Sequence, residues 1–425
     1  MKKALIITYY WPPAGGSGVQ RWLKFVKYFR DFGIEPVVYT VENPNYPIVD
    51  ASLAQDIPKG IEILTQPIWE PNNLFAFFGK KKTESTGFLN PNPSLFGKTL
   101  QYIRANYFIP DARKFWVKPS SIYLKEYLKS NKIDVVITTG PPHSMHLIGL
   151  NLKKELNIKW IADFRDPWTE IDYFQQLPLT KMAIEKHHAL EKEVLKNTDA
   201  VLVVGKTMRE KFTKFNNNVV TITNGFDVTL SDAVAELDSK FTVTHIGLMN
   251  ADRNPKILWE VLSEIISENI EFASDFELKL IGKADASVID DISKYQLSRN
   301  VQVIDYVAHD KVVEFQKKSQ VLLLIVNNVP SAKGIITGKI FEYLMAKRPI
   351  LAIAPTNGDV SEIINETNSG TVIDFDDKIG LRKAILELYA KFKLGNLTVE
   401  SKNITQFHRK ELTKRVSEII YKITE

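Results

Sequence analysis

Lys339 and Glu342 stand three residues apart in the stretch KGIITGKIFEYLMAKRPIL, residues 333–351. An apolar, β-branched run, Val321 to Val326, precedes it and predicts a buried parallel strand. A loop holding Gly334 and Gly338 follows, then a helix from about Lys339 to Lys347 and a second strand from Ile350. Lys339 falls in the first turn of that helix, where the macrodipole is positive and disfavours a cation. A lysine fits there when an anion sits between it and the backbone N–H groups, as phosphates do at helix N-termini. Glu342, one turn on and on the same side, suits hydrogen bonds from sugar hydroxyls. Both residues also fit a plain solvated helix. Arg253, in the loop GLMNADRNP before a helix opened by Pro255, has the fork that clamps phosphate from two sides.

A second group of polar residues falls in loops of the N-terminal half. Gly15 and Gly16 lie in WPPAGGSG after a first strand, where glycines let the backbone approach a phosphate or a sugar. The spacing is not G-x-G-x-x-G, and no acidic residue ends the strand read at Pro36 to Tyr39, which argues against a dinucleotide site. His143 and His146 flank the turn TTGPPHS and a helix start. Asp163, Arg165 and Asp166 cluster in DFRDPW after a strand at Trp160 to Ala162. Each histidine also fits a structural role, and the two aspartates also fit a helix cap and an ion-pair partner for Arg165. Three polar loops at one sheet edge favour a site.

The elements that hold these loops alternate strand and helix. Ala4 to Tyr10 is a strand; Val19, Trp22, Val26, Phe29 and Phe32 then form one apolar helical face, with Ser17 and Gln20 as a capping box. Strands follow at Pro36 to Tyr39, Val135 to Thr138, Trp160 to Ala162, Val201 to Val204 and Val219 to Ile222. Helices near Ile122 to Ser130 and Leu179 to Asn197 separate some of them. Residues 44–120, rich in Pro, Asn and aromatics, break this rhythm and read as a partly helical insert. A tight turn at Asn224 to Asp227 leads to a second βα series. Its strands are Val243 to Ile246, Glu277 to Ile281, Val301 to Ile304, Val321 to Val326, Ile350 to Ile353 and Thr371 to Ile373, with a capping-box start at Asp359 and Glu362. Such units build parallel sheets with ligands at the strands' carboxyl ends.

With 425 residues, two domains are expected. The chain has no Cys, which excludes disulfides, thiolate metal sites and cysteine nucleophiles. HExxH, Gly-x-Ser-x-Gly and nucleic-acid-binding signatures do not occur, so no nucleic-acid partner is expected. One D-x-D, Asp374 and Asp376, ends a late strand; no metal is expected. MKKALIITYYWPP reads as a first strand and not a signal peptide, and no apolar run approaches the ~20 residues that span a bilayer. A cytoplasmic protein is expected. The net charge is +5, yet residues 80–132 alone hold eleven Lys/Arg against three Asp/Glu. Leu74, Phe75, Phe77 and Phe78 beside Lys80, Lys81 and Lys82 suggest that about 74–116 docks peripherally on an anionic membrane; a small core beneath solvated lysines is the competing reading.

Across nearly its whole length the chain resembles glycosyltransferase family 4, the group 1 glycosyltransferases, in the branch serving bacterial surface polysaccharides. YYWPPAGGSGVQR resembles the family's glycine loop, TTGPPHSMHLIG and WIADFRDPW two further loops, TNGFD its linker entry and KGIITGKIFEYLMAKRPIL its donor helix. The resemblance implies an α/β GT-B fold: two Rossmann-like domains facing a cleft, with the C-terminal helix crossing back to the first. The acceptor domain would be residues 1–228, with the insert at about 44–120 and completion by a helix at about 405–425; the nucleotide-sugar donor domain would be 229–404. It implies metal-independent transfer, with retention, of a sugar from a UDP-, GDP- or related nucleotide sugar to a glycan or lipid-linked acceptor. Arg253, Lys333 and Lys339 would meet the diphosphate, Glu342 the ribose, and Gly15 and Gly16 the closely approaching ligand. His143, His146, Asp163 and Asp166 would serve the sugar and the acceptor hydroxyl. Two departures stand out: Gly334 replaces the first Glu of the family's E-x7-E, and Gly247 is followed by Leu248 where a basic residue is usual. A GT-B nucleotide-sugar epimerase and a non-catalytic nucleotide-binding scaffold of a polysaccharide complex are the alternatives.

Overall fold

The computed structural model describes every residue except 43, 71–93, 173, 228–235, 306 and 308. The apolar and lysine run from Leu74 to Lys82 lies outside the described residues. The chain divides into two compact units, Met1–Asn224 with Arg409–Glu425, and Gly225–His408. The divisions fall four residues before and four residues after the sequence-based boundaries of 228 and 405.

In the first unit seven parallel strands form one sheet: β1 (Lys2–Ile7), β2 (Ile34–Glu42), β3 (Glu62–Pro67), β4 (Val135–Gly140), β5 (Trp160–Phe164), β6 (Ala200–Val203) and β7 (Val219–Thr221), in the order β3-β2-β1-β4-β5-β6-β7. Strand order reverses between β1 and β4, so the loops after those two strands border the switch point where such sheets bind ligands. Residues alternate across the sheet: Leu5, Ile7, Val37 and Val136 pack on one face with Trp116 and Trp160, while Ala4, Ile6 and Ile137 pack on the other with Trp22 and Phe25. Helix Ser17–Phe29 covers that second face, and the C-terminal helix Arg409–Thr424 adds Leu412, Val416 and Ile420 to the same core.

Four sequence expectations change here. Residues 62–67 are a seventh strand paired parallel to β2, not part of an insert outside the sheet. The helix expected from Ile122 starts at Lys114 and carries Pro119 inside it, the residue that reads as a breaker. β2 runs on to Glu42, so an acidic residue does end that strand. Gly16 and Gly358 occupy the N-cap positions, one residue before the capping boxes expected at Ser17 and Asp359, and neither helix has a side-chain cap hydrogen bond.

The second unit repeats the plan with β8 (Phe241–Ile246), β9 (Phe276–Ile281), β10 (Val301–Ile304), β11 (Val321–Ile325), β12 (Ile350–Ile353) and β13 (Gly370–Ile373), in the order β10-β9-β8-β11-β12-β13. Leu323, Ile325 and Ile353 face helix Lys256–Glu268; Leu322, Leu324 and Ala352 face helix Lys339–Ala346. Both faces are covered, which is why these strands read as unbroken apolar runs. No described helix is long and apolar enough to cross a membrane.

Candidate functional site

At the carboxyl end of β8 the chain turns through Gly247, whose φ of +109° favours glycine. A Cβ there would lie 2.5 Å from Lys339 Cε and 2.6 Å from its Nζ. The missing side chain therefore makes the berth into which Lys339 reaches from the first turn of helix Lys339–Ala346. Burial and the positive charge of Arg253 lower the Lys339 pKa to about 7, against the opposing pull of Glu342. The same burial, with Lys339 and Arg253, keeps His245 neutral; its Nδ1 lies 3.1 Å from the Leu323 carbonyl. Arg253 folds back so that Nη1 donates to the Leu248 carbonyl at 2.9 Å.

Glu342 is half-buried and accepts a hydrogen bond from the buried amide of Gln316 at 3.0 Å, which fixes one carboxylate oxygen. Lys333 stands exposed on the turn Ala332–Gly334. Among the described residues of these loops, Asn250 Oδ1, Asn327 Oδ1, Ser331 Oγ and Thr337 Oγ1 are buried without a hydrogen-bond partner. Buried polar atoms are normally satisfied, so their gathering after β8 and β11 marks polar lining. A cavity of about 560 Å³ opens at the ends of β11 and β12, lined by Arg253, Asn254, Lys256, Asn328, Phe375 and Lys378 among others. Asp376 lines it as well; Asp374 accepts instead from Thr356 and the Phe375 N–H. No described group of three or more His, Asp or Glu could hold a metal ion.

In the first unit the sequence-selected residues do lie at one sheet edge, but with different neighbours. Gly15 packs against the chain at Ile48, where a Cβ would come within 2.7 Å of Ile48 Cγ2, and its N–H donates to the Ile48 carbonyl. Gly16 has φ +86° and open space where a side chain would point, the arrangement that admits a ligand to the backbone. Asp163 is fully buried and saturated: it accepts from Arg21 at 2.8 Å, Trp22 Nε1 at 2.7 Å and Thr139 Oγ1 at 2.9 Å. Arg21 also donates to the carbonyls of Ile222 and Thr223, so this pair ties helix Ser17–Phe29 to the ends of β5 and β7. Asp163 is thus a brace, its carboxylate oxygens engaged by the protein's own donors. Arg165 donates to the Gly18 carbonyl at 2.7 Å, and half-buried Asp166 lies 3.6 Å from its Nε.

His143 and His146 press on Gly140, whose added Cβ would meet His146 Nε2 at 2.7 Å and His143 Nδ1 at 2.9 Å. Trp160 Nε1 donates to Thr138 Oγ1 at 2.9 Å, and the same hydroxyl shares a hydrogen bond of 2.9 Å with His146 Nδ1. His146 stacks on Phe164 and His143 on Trp168. Burial lowers the His146 pKa to about 3 and that of His143 well below the usual range. Neutral, stacked and enclosed, the two rings support the loop after β4; His143, 8% exposed, is the nearer of them to solvent.

The sequence did not single out Arg21, nor Asp111, which accepts from the Ser144 N–H at the start of helix Ser144–Leu156. It also missed Gln316, and the buried set in which Tyr9 donates to Glu70 at 2.7 Å while Arg113 pairs with Glu70 at 3.2 Å. For Arg21 there was one signal, a cation placed among Trp22 and Phe25; its guanidinium lies 5.1 Å over the Phe25 ring.

A family model described as "Glycosyl transferases group 1" matches residues 240–391, and one described as "Glycosyltransferase Family 4" matches residues 83–230. No curated protein matches the sequence. Among solved structures, sucrose-phosphate synthase from Thermosynechococcus elongatus is 14% identical over 99% of both chains, with a TM-score of 0.62. The lipopolysaccharide outer core galactosyltransferase WaaB is 11% identical over 99% of both, with a TM-score of 0.61. A putative UDP-N-acetylglucosamine 2-epimerase from Listeria monocytogenes is 12% identical over 98% of this chain and 95% of that one, with a TM-score of 0.55. At these identities the likeness is one of fold, the GT-B arrangement of two Rossmann-like domains.

Proposed function

The chain belongs to the group 1 glycosyltransferases of family 4, and we propose that it moves a sugar from a nucleotide diphosphate sugar to a glycan or lipid-linked acceptor in surface polysaccharide synthesis. The observation that carries this reading is the half-buried Lys339 side chain in the berth left by Gly247, with Arg253 beside it. Two cations drawn together under burial repel each other, and a diphosphate is the partner that relieves the repulsion. The positive end of the dipole of helix Lys339–Ala346 favours the same anion. Glu342, held by Gln316, receives the ribose hydroxyls on its other oxygen.

In the reaction the bond from the anomeric carbon to the diphosphate oxygen breaks, a bond from that carbon to the acceptor oxygen forms, and the acceptor hydroxyl loses its proton. The departing negative charge grows against Lys339 and Arg253, with Lys333 on the adjoining turn, and preorganised cations stabilise it. Retention of configuration and independence from metal are the course the family resemblance implies. Gly16 supports the approach of donor or acceptor to the first unit's backbone. Of the residues proposed for the acceptor side, the exposure left to Asp166 supports a contact with it, while Asp163, His143 and His146 hold the loops.

Incubation with UDP- and GDP-sugars and polyprenyl-diphosphate-linked sugar acceptors tests the proposal. Sugar on the acceptor with equimolar nucleoside diphosphate is the expected result. An isomerised nucleotide sugar formed without acceptor replaces the transferase reading with an epimerase, and nucleotide binding without turnover replaces it with a scaffold.

A further inference from the structure

We propose that His245 and Tyr343 are positioning residues of the donor site, a polar wedge that holds the ends of β8 and β11 apart and sets where Lys339 enters its berth. The inference rests on the reading of Lys339 as the diphosphate's partner and names the residues that put it there. Strand order reverses between β8 and β11, and their ladder is short: it pairs Val243 with Val321 and Thr244 with Leu322, and ends there. Both strands run on with other neighbours, β8 beside β9 as far as Ile246 and β11 beside β12 as far as Ile325. Beyond Thr244, side chains replace the ladder. His245 Nδ1 meets the Leu323 carbonyl at 3.1 Å, and because a carbonyl only accepts, the ring donates. Tyr343 Oη accepts from the Ile246 N–H at 3.1 Å and donates to the same Leu323 carbonyl at 3.4 Å. His245 is 1% exposed and Tyr343 is fully buried.

The wedge and the berth are one construction. Tyr343 and Lys339 stand one turn apart on the same side of helix Lys339–Ala346. They meet successive residues of the strand end: Tyr343 the Ile246 N–H, Lys339 the space left open at Gly247. The tie at Ile246 thus fixes how the helix sits along the strand, and with it the place of the ammonium. Burying a phenol and an imidazole where plain ladder bonds would serve costs desolvation. What the exchange provides is a crevice at the switch point, where sheets of this kind bind ligands. His245 is neutral, so it adds no third positive charge beside Lys339 and Arg253. Glu342 is the acidic group that bears on Lys339 in the same place.

The pH profile of Lys339 acylation by acetic anhydride, followed by peptide mass spectrometry, reads the berth directly. Half-maximal labelling of the wild-type chain is expected at about pH 7. In Tyr343→Phe and His245→Leu the midpoint should rise by about one unit or more towards the ordinary lysine value of about 10.4. Affinity for UDP or GDP should fall about tenfold in the same two variants. His245→Asn, whose amide still donates to the Leu323 carbonyl, should restore both readouts. Hydrogen exchange needs no variant: the Ile246 amide should be protected by its bond to the buried phenol, and rapid exchange there overturns the proposal. Variants that melt earlier while the Lys339 midpoint and the nucleotide affinity stay put would show a merely structural pair and overturn it as well. Affinity lost in Lys339→Ala but kept in the wedge variants sinks this inference alone. A wild-type chain that binds neither nucleotide sinks the donor-site reading and this inference with it.

Discussion

At Gly247 the absence of a side chain decides where the charge of Lys339 sits. Gly247→Ala places a methyl carbon 2.5 Å from Lys339 Cε at a φ of +109°. The lysine must leave its berth, and nucleoside diphosphate affinity should fall about tenfold by calorimetry, a loss comparable to that of one charge-assisted hydrogen bond. Lys339 also sets a pH dependence. Its folded pKa of about 7 lies below the ordinary lysine value of about 10.4. Between these values the unfolded chain holds a proton that the folded chain lacks, so this group's contribution to stability rises with pH across that window. A bound diphosphate favours the ammonium, so binding at about pH 8 should take up to one proton per nucleotide. Calorimetry in two buffers of different ionisation enthalpy measures that uptake, and Lys339→Met should abolish it. His146 titrates at the other end of the range. Its folded pKa of about 3 makes stability fall as pH drops from about 6.5 towards 3, by at most about 1.4 kcal/mol per pH unit. Scanning calorimetry should show the melting temperature falling from pH 6.5 to 5, with a shallower fall in His146→Gln.

Among the elements, helix Ser17–Phe29 is tied to the ends of β5 and β7 by the buried Arg21–Asp163 pair. Asp163→Ala leaves Arg21 charged and unpaired among Trp22, Phe25 and the strand ends, and should cost about 3–5 kcal/mol in urea unfolding. Nucleotide affinity, which we propose to reside in the second unit, should change little. This pair also shows what the sequence conceals. The central strands were legible because both sheet faces are covered, so Val135 to Thr138 and Val321 to Val326 are unbroken apolar runs. β3 was not, because Glu62–Pro67 is an edge strand with exposed positions and a terminal proline. Helix starts shifted by one residue because Gly16 and Gly358 satisfy the cap geometry without a side-chain hydrogen bond. Lys339 and Glu342 could be chosen from their helix position. The saturation of Asp163 and the enclosure of His146 depend on Arg21, Thr138 and Gly140, residues brought to them only by the folded sheet.

For the whole molecule, each of the two parallel-sheet units carries its own residue cluster. In the second, a half-buried lysine, an arginine and a helix N-terminus gather at one strand end; in the first, a braced loop cluster lines one sheet edge. The local excess of positive charge at residues 80–132 belongs to that first unit. Changes on its surface should alter acceptor use and leave donor binding intact, while changes at Lys339 should do the reverse. The central claim is that Lys339 receives the diphosphate of a nucleotide sugar. Titration calorimetry of the wild-type chain and Lys339→Ala with UDP and GDP tests it most directly. Loss of one charge-assisted hydrogen bond, about 1.5–3 kcal/mol, predicts a roughly tenfold or greater fall in affinity for the preferred nucleotide at an unchanged melting temperature. Equal affinity in the two chains, with the fold intact, would contradict the claim and leave Lys339 a structural residue.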